Sequence, residues 1–338
     1  MKKLIVMLIA VSMVFALVAC SAAPSETDTG ESMEATEQEV AADSDTAEEA
    51  EATQGLVGIS VPGATHGWVA ATAYFSEKTA KELGLNYKLV VSANPVEQAN
   101  QLTELVDMGC DVIILFPHNN EVTVAAQEVL DAGVPLINFD RVVNVDATAY
   151  LAGDNPGMGT EGGKYIDEKL GGEGKVVIIG VPSWGDINTE RVDAFKAYIA
   201  ENAPGIEIIN EYAANTAAQQ DGLTVMADAL TANEEIDAVF SVDDELSIGI
   251  LKAIEEAGRT DIKVVTGGGG MQEYFKLIEG QNDIWFASAL YHPSMISTCV
   301  EMAKDLLDGK EIEKTTIIPS VIVDRDNVSG YFDEGSPY

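Results

Sequence analysis

"LINFDRVV", residues 136–143, is a short apolar run that ends in an aspartate and an arginine side by side. Leu136, Ile137 and Phe139 read as a buried strand, and Asp140 and Arg141 set opposite charges where that strand stops. Near-continuous apolar strands belong to parallel sheets covered on both faces. Ligands of such sheets bind beyond the carboxyl ends of the strands. The same eight residues therefore bear on the fold and on the place to look for a site.

The rest of the body repeats this pattern from Leu56 onward. Strand-like runs are "LVGISV" (56–61), "YKLVV" (87–91), "DVIILF" (111–116), "PLINF" (135–139), "KVVIIG" (175–180), "IEIIN" (206–210), "IDAVFS" (236–241), "IKVVT" (262–266) and "IWFASA" (284–289). Between them lie stretches of 3.6-residue periodicity such as "PVEQANQLTELVDMG" and "LSIGILKAIEEAG". Nine strands alternating with helices predict α/β architecture. A second round begins near "KVVIIG", so two α/β domains are expected, joined around "YLAGDNPG" (150–157). The loops after the strands are then the candidate site: "PGATHGW", "PHNN", "DRVV", "PSWGD", "SVDDE", "GGGG" and "LYHP".

The 338 residues carry 19 basic and 56 acidic side chains, a net charge of −37. That imbalance argues against nucleic acid or anionic lipid headgroups as partners, because both need clustered Lys and Arg. Lys2 and Lys3, an apolar run and Cys20 follow one another at the start, the arrangement of an export signal. "LVAC" (17–20) resembles the lipobox of bacterial lipoproteins, which implies cleavage before Cys20 and a lipid on its thiol. Residues 21–54 hold eleven acids, no base and no aromatic. Such a segment cannot bury enough apolar surface to offset its ordering entropy, so 20–54 reads as an acidic tether. Cys110 and Cys299 read as two separate buried thiols.

Enzyme motifs are thin. The three histidines, His66, His118 and His292, lack metal-ligand spacing, and neither G-x-S-x-G nor H-E-x-x-H occurs. "GMGTEG" (157–162) matches a dinucleotide loop literally, but Asp154 and Glu161 would repel a pyrophosphate, and a helix-start turn is the expectation. "GGGG" (267–270) has no Lys-Ser/Thr after it and is read as a flexible turn. "VDDE" reads either as an N-cap with first-turn acids alone or as a ligand contact. Trp68 and Trp184 fall at strand carboxyl ends, where an indole face can stack on a sugar ring while carboxylates and guanidinium groups bind its hydroxyls.

From about Leu56 to Val328 the chain resembles the ribose-type (type I) periplasmic binding proteins, substrate-binding components of ABC sugar importers. The resemblance rests on "VGISVPGATHGWV", "GCDVIILFP", "GVPLINFDRVV", "GDNPGMG", "TERVDAF", "AVFSVDDELSIGILKAI" and "ASALYHPSMI", in that order and spacing. It implies two doubly wound parallel-sheet lobes joined by a three-crossing hinge: 55–153 plus 292–312, and 154–291 plus 313–338, after a signal peptide at 1–19. It also implies site roles. Asp140 and Arg141 fall on a pair that grips sugar hydroxyls, Trp68 on a ring-stacking aromatic, His66 on a polar contact and Arg191 on a second-lobe ligand contact. Asp243 falls on a polar position of the same site. Val69, Gly268 and Tyr291 stand where the family has an aromatic, an aspartate and a glutamine, and Trp184 is expected to replace an aromatic missing from "NTAAQQD".

The function expected is capture of a sugar or sugar-like polyol between two lobes and delivery to an ABC permease, without an enzymatic step, a cofactor or a metal. The protein is expected to be a monomer, held on the extracytoplasmic face of a Gram-positive type membrane by its lipid alone. The alternatives are a nucleoside or furanosyl signal as ligand, or presentation to a chemoreceptor or sensor kinase.

Overall fold

The structure, a computed structural model, describes residues 55–63, 67–280 and 283–338. The signal peptide, the tether with Cys20, and His66 lie outside the described residues. The first lobe runs β1 (Leu56–Pro62), α1 (Gly67–Glu82), β2 (Asn86–Ser92), α2 (Pro95–Asp107), β3 (Val112–Leu115), α3 (Thr123–Asp131), β4 (Leu136–Phe139) and β5 (Ala149–Gly153). The chain then crosses into α4 (Asn155–Leu170), β6 (Glu173–Gly180), α5 (Asp186–Asn202), β7 (Gly205–Ala213), α6 (Gln219–Ala232), β8 (Ala238–Ser241), α7 (Asp244–Ala257), β9 (Val264–Gly268), α8 (Gln272–Glu279) and β10 (Trp285–Ala289). It returns for α9 (Ile296–Leu307) and β11 (Thr315–Ile318), and crosses a third time into β12 (Ile322–Asp324).

Two six-stranded sheets result, in the orders β11-β5-β4-β3-β1-β2 and β12-β10-β9-β8-β6-β7. Every pairing is parallel except the edge pair β10–β12. β11 pairs with β5 in the first sheet, so the third crossing falls after Ile318 rather than at 313 as the resemblance implied. All four residues of β3 and of β4 are buried, as their unbroken apolar runs require. Each fully buried Ile, Leu or Phe there stabilises by about 1.5–3 kcal/mol relative to exposure.

Local signals start the helices at the sheet edges. Asn94 caps α2, accepting from the Glu97 N–H, with Pro95 next in line. Asp154 does the same for α4 through the Gly157 N–H, and Asp243 for α7 through the Leu246 N–H. "GMGTEG" lies in the first turns of α4, with the Gly157 N–H held by the Asp154 cap. A Cβ on Gly159 would collide with the Arg191 carbonyl oxygen, and one on Gly162 with the Phe240 ring. The glycines therefore let α4 lie directly against α5 at Gly159 and against β8 at Gly162. Cys110 and Cys299 are buried free thiols, as expected.

Candidate ligand-binding site

Asp140 follows the last residue of β4 in the left-handed region, at φ 61°. An L-residue there costs roughly 1–2 kcal/mol, and such positions persist only where the surroundings hold them. They do: the Asp140 N–H donates to the Leu151 carbonyl at 2.8 Å, and the Tyr150 hydroxyl donates to the Asp140 carbonyl at 2.7 Å. This bend turns a nearly buried carboxylate, 8 % exposed, off the sheet edge. Its Oδ1 accepts the Tyr291 hydroxyl at 2.5 Å. Burial pushes the carboxyl up, against the opposing pull of Tyr291, Arg141 and Arg191.

The neighbouring arginine points elsewhere. Arg141 Nη1 donates to the His118 carbonyl at 3.0 Å and to the Pro117 carbonyl at 3.4 Å, with the guanidinium 4.9 Å from the Phe116 ring centre. "DRVV" thus supplies one acceptor to Tyr291 and one cation fastened to the loop after β3. Phe116 is also the ring that meets Trp68 edge-on at 5.9 Å. Trp68 lies parallel to Phe139 at 6.1 Å and donates its indole N–H to the Tyr291 carbonyl at 2.6 Å. The expected stacking residue is thereby built into an aromatic group beside Asp140.

The second lobe meets this group through Arg191. Its Nε donates to Asn155 Oδ1 at 2.8 Å and its Nη1 to the Val242 carbonyl at 2.9 Å, and the guanidinium lies 4.8 Å from the Tyr291 ring centre. Asn155, at the start of α4, also reaches the Tyr291 hydroxyl at 3.5 Å. Trp184, half-buried in the turn after β6, has its ring centre 5.7 Å from the same guanidinium. Asp140, Trp68, Tyr291 and Arg191 are therefore brought together from both lobes, with Trp184 beside Arg191 and Asp243 next to Val242. Asp243 is buried and caps α7, its Oδ1 accepting the Leu246 N–H at 3.1 Å.

Three neighbours were not singled out from the sequence, and a fourth, Asp244, was read there only as part of "VDDE". Asn155 couples Arg191 to Tyr291; its only signal was its place inside "GDNPGMG". Met158 covers Gly268, where a Cβ would collide with the Met158 methyl. Asp244, fully buried, takes the Gly270 N–H at 2.7 Å, the Met271 N–H at 2.9 Å and the Ser288 hydroxyl at 2.7 Å on Oδ2. Burial pushes its carboxyl up to about 7, and its Oδ1 has no hydrogen-bond partner. The "GGGG" stretch is thus pinned by a carboxyl from the start of α7, the helix after the neighbouring strand β8. Tyr338, 3 % exposed, belongs to the same buried cluster as Trp68, Met158 and Tyr291.

Among the described residues no cluster of His, Cys, Asp or Glu could hold a metal ion, and no helix is long and apolar enough to cross a membrane. The arrangement is one of polar side chains and aromatic rings at facing sheet edges, a combination suited to holding a small polar molecule.

Comparison with known proteins gives the family. The ribose import binding protein of Bacillus subtilis (strain 168) is 29 % identical over 268 residues, covering 78 % of this chain and 85 % of that one. The D-apiose import binding protein of Actinobacillus succinogenes is 30 % identical over 241 residues, 68 % of this chain and 75 % of the relative. A solved ABC transporter periplasmic solute binding protein of Actinobacillus succinogenes with bound D-allose shares the fold. Its TM-score is 0.73 at 22 % identity, with 82 % of this chain and 100 % of that one covered. The family described as a periplasmic binding protein domain matches residues 57–311, which stops short of β11 and β12 but takes in every candidate contact from Trp68 to Tyr291, and to it this chain belongs.

Proposed function

We infer that the protein is an extracytoplasmic solute-binding component of an ABC importer, which captures a sugar or sugar-like polyol between its lobes and presents it to a permease. The observation that carries this reading is the polar chain Asp140–Tyr291–Asn155–Arg191, drawn from both lobes and from the first and second crossings. A ligand that bonds to groups on each lobe stabilises the closed arrangement by its difference in affinity for closed and open forms. In this reading Trp68 stacks on the ring, while Asp140, Arg141, Arg191 and Asp243 bind hydroxyls. His66 and Tyr291 add polar contacts, and Trp184 completes the aromatic side. The relatives are transport proteins, and binding without a chemical step is the activity assigned here. A lipid on Cys20 and a monomeric body complete the proposal.

The test is a thermal-shift screen of the purified protein against D-ribose, D-allose, D-apiose, myo-inositol and xylitol, with adenosine and guanosine alongside. A ligand at a hundred times its Kd adds about 2.7 kcal/mol to stability, which moves the melt by several degrees. One clear stabiliser among the sugars and polyols is expected. A shift with nucleosides alone would overturn the reading.

A further inference from the structure

The segment 331–338 carries an aromatic side chain into the space between the lobes. The first residue of α8 fixes that segment. Gln272 donates Nε2 to the Tyr331 carbonyl at 3.1 Å, accepts the Asp333 N–H on Oε1 at 3.0 Å, and donates its own N–H to the Tyr338 carbonyl at 3.2 Å. Tyr331 and Phe332 set their rings 6.2 and 6.5 Å from that of Phe275.

Held this way, Tyr338 touches both lobes. Its ring lies against Gly67, the residue before Trp68, where a Cβ would stand 3.4 Å from Cδ2. Its hydroxyl lies over Gly269, the residue after Gly268, where a Cβ would collide with it. Gly269 also has φ 139°, so the backbone and the tyrosine each call for glycine there. Burial, with the carboxylates of Asp243, Asp244 and Glu245, pushes the phenol well above its ordinary value; Arg191 pulls the other way. The side chain therefore stays a neutral phenol whose surroundings include Arg191 and Asp243, two of the proposed ligand contacts.

We propose that Tyr338 is a wall of the ligand cleft and limits the molecule held there to a single ring or a short polyol. The proposal rests on the sugar-binding reading above and says which member of that class fits. Val69 and Gly268 are small residues, and the ring of Tyr338 stands between Gly67, which precedes Trp68, and Gly269, which follows Gly268. A phenol combines an apolar face with a polar tip, so it can close a cleft without leaving a sugar hydroxyl unpaired.

The test compares the wild type with Tyr338→Ala, Tyr338→Phe and Gln272→Ala, by calorimetric titration with D-ribose, D-allose, myo-inositol, sucrose and maltose. The wild type should bind a single-ring ligand and neither disaccharide. Tyr338→Ala should bind that ligand at least tenfold more weakly and gain a measurable affinity for a disaccharide. Tyr338→Phe keeps the ring and should keep the size limit. Gln272→Ala, which frees the segment without touching the cleft, should behave like Tyr338→Ala and decides the matter if the latter does not fold. Unchanged affinity within twofold and no disaccharide binding in the alanine variants would refute the wall while leaving the sugar reading intact. If neither wild type nor variants bind any of the five, the sugar reading falls and the wall with it. Binding by Tyr338→Ala alone would also overturn the wall, since the side chain would then occupy the ligand's place instead of bounding it.

Discussion

Tyr291 donates its hydroxyl to Asp140 Oδ1 at 2.5 Å, joining residues 151 apart in sequence. The tyrosine ring also fills the space a side chain would need at Gly153, the last residue of β5, where a Cβ would run into it. One side chain from the second crossing thus covers the first crossing and meets the acid at the end of β4. Asp140 already accepts the Tyr291 hydroxyl, so a sugar hydroxyl would join or displace that donor.

That relationship leads to a first prediction. Asp140→Asn keeps the shape but replaces a charged acceptor by a neutral one and introduces an N–H₂. A hydrogen bond to a charged group contributes about 1.5–3 kcal/mol, so affinity for the stabilising ligand should fall by roughly 10- to 100-fold. Isothermal titration reads the loss, and circular dichroism should show an unchanged fold. Retained affinity within twofold would remove Asp140 from the site.

Arg191 gives a second. Its guanidinium spans Asn155 Oδ1, the Val242 carbonyl and the Tyr291 face at once. A lysine ammonium is a single point on a flexible stem and cannot make that fork. Arg191→Lys should weaken binding at least tenfold in titration while the charge is preserved. An unaltered Kd would show that the charge alone suffices.

Much of this was legible in the residues, and the rest was not for identifiable reasons. The strands β1, β3, β4, β6, β8 and β9 announce themselves because burial on both faces leaves unbroken apolar runs. β5, β11 and β12 are edge or near-edge strands of three to five residues, too short and too mixed to stand out. Asp140, Arg191 and Tyr291 lie at strand ends or in family-like motifs, so position pointed to them. Tyr338 could not be found that way: it reaches the cleft through a segment whose course depends on three bonds to Gln272. The role of the glycines in α4 was hidden likewise, because only the packed helix shows the Arg191 carbonyl against Gly159.

The proposed anchor predicts its own failure. Cys20→Ala removes the only thiol in reach of a lipobox-type cut, and one acyl-glycerol group is what would hold the body at the membrane. The variant should appear in the soluble fraction or medium, and mass spectrometry of the wild type should show a diacylglyceryl mass on Cys20. An unmodified Cys20 in membrane-bound wild type would sink the anchor.

Two buried groups set opposing pH dependences on stability. Asp244 has its carboxyl pushed up to about 7 by burial, so the folded protein holds a proton that the unfolded chain releases from its ordinary value of 3.8 upward. Its contribution is fully present below about 4 and is lost as pH rises to about 7. His292 is pushed down to about 4, again by burial, from 6.5. The unfolded chain binds that proton first, so stability on its account rises from pH 4 to 6.5. Between pH 4.5 and 6 each slope approaches one proton, about 1.4 kcal/mol per pH unit, with opposite sign. They offset each other in the wild type. Asp244→Asn mimics the protonated acid, with its amide oxygen at Oδ2 facing the Gly270, Met271 and Ser288 donors and its N–H₂ where Oδ1 has no hydrogen-bond partner. Its melting temperature should climb with pH over this window relative to the wild type. His292→Asn keeps a capping side chain for the turn that begins at Pro293. Its melting temperature should fall with pH, the more so because Asp140 and Glu190 are also raised. Calorimetry at pH 4.5, 5.5 and 6.5 distinguishes the three curves, and parallel profiles for wild type and Asp244→Asn would show that Asp244 is ionised throughout.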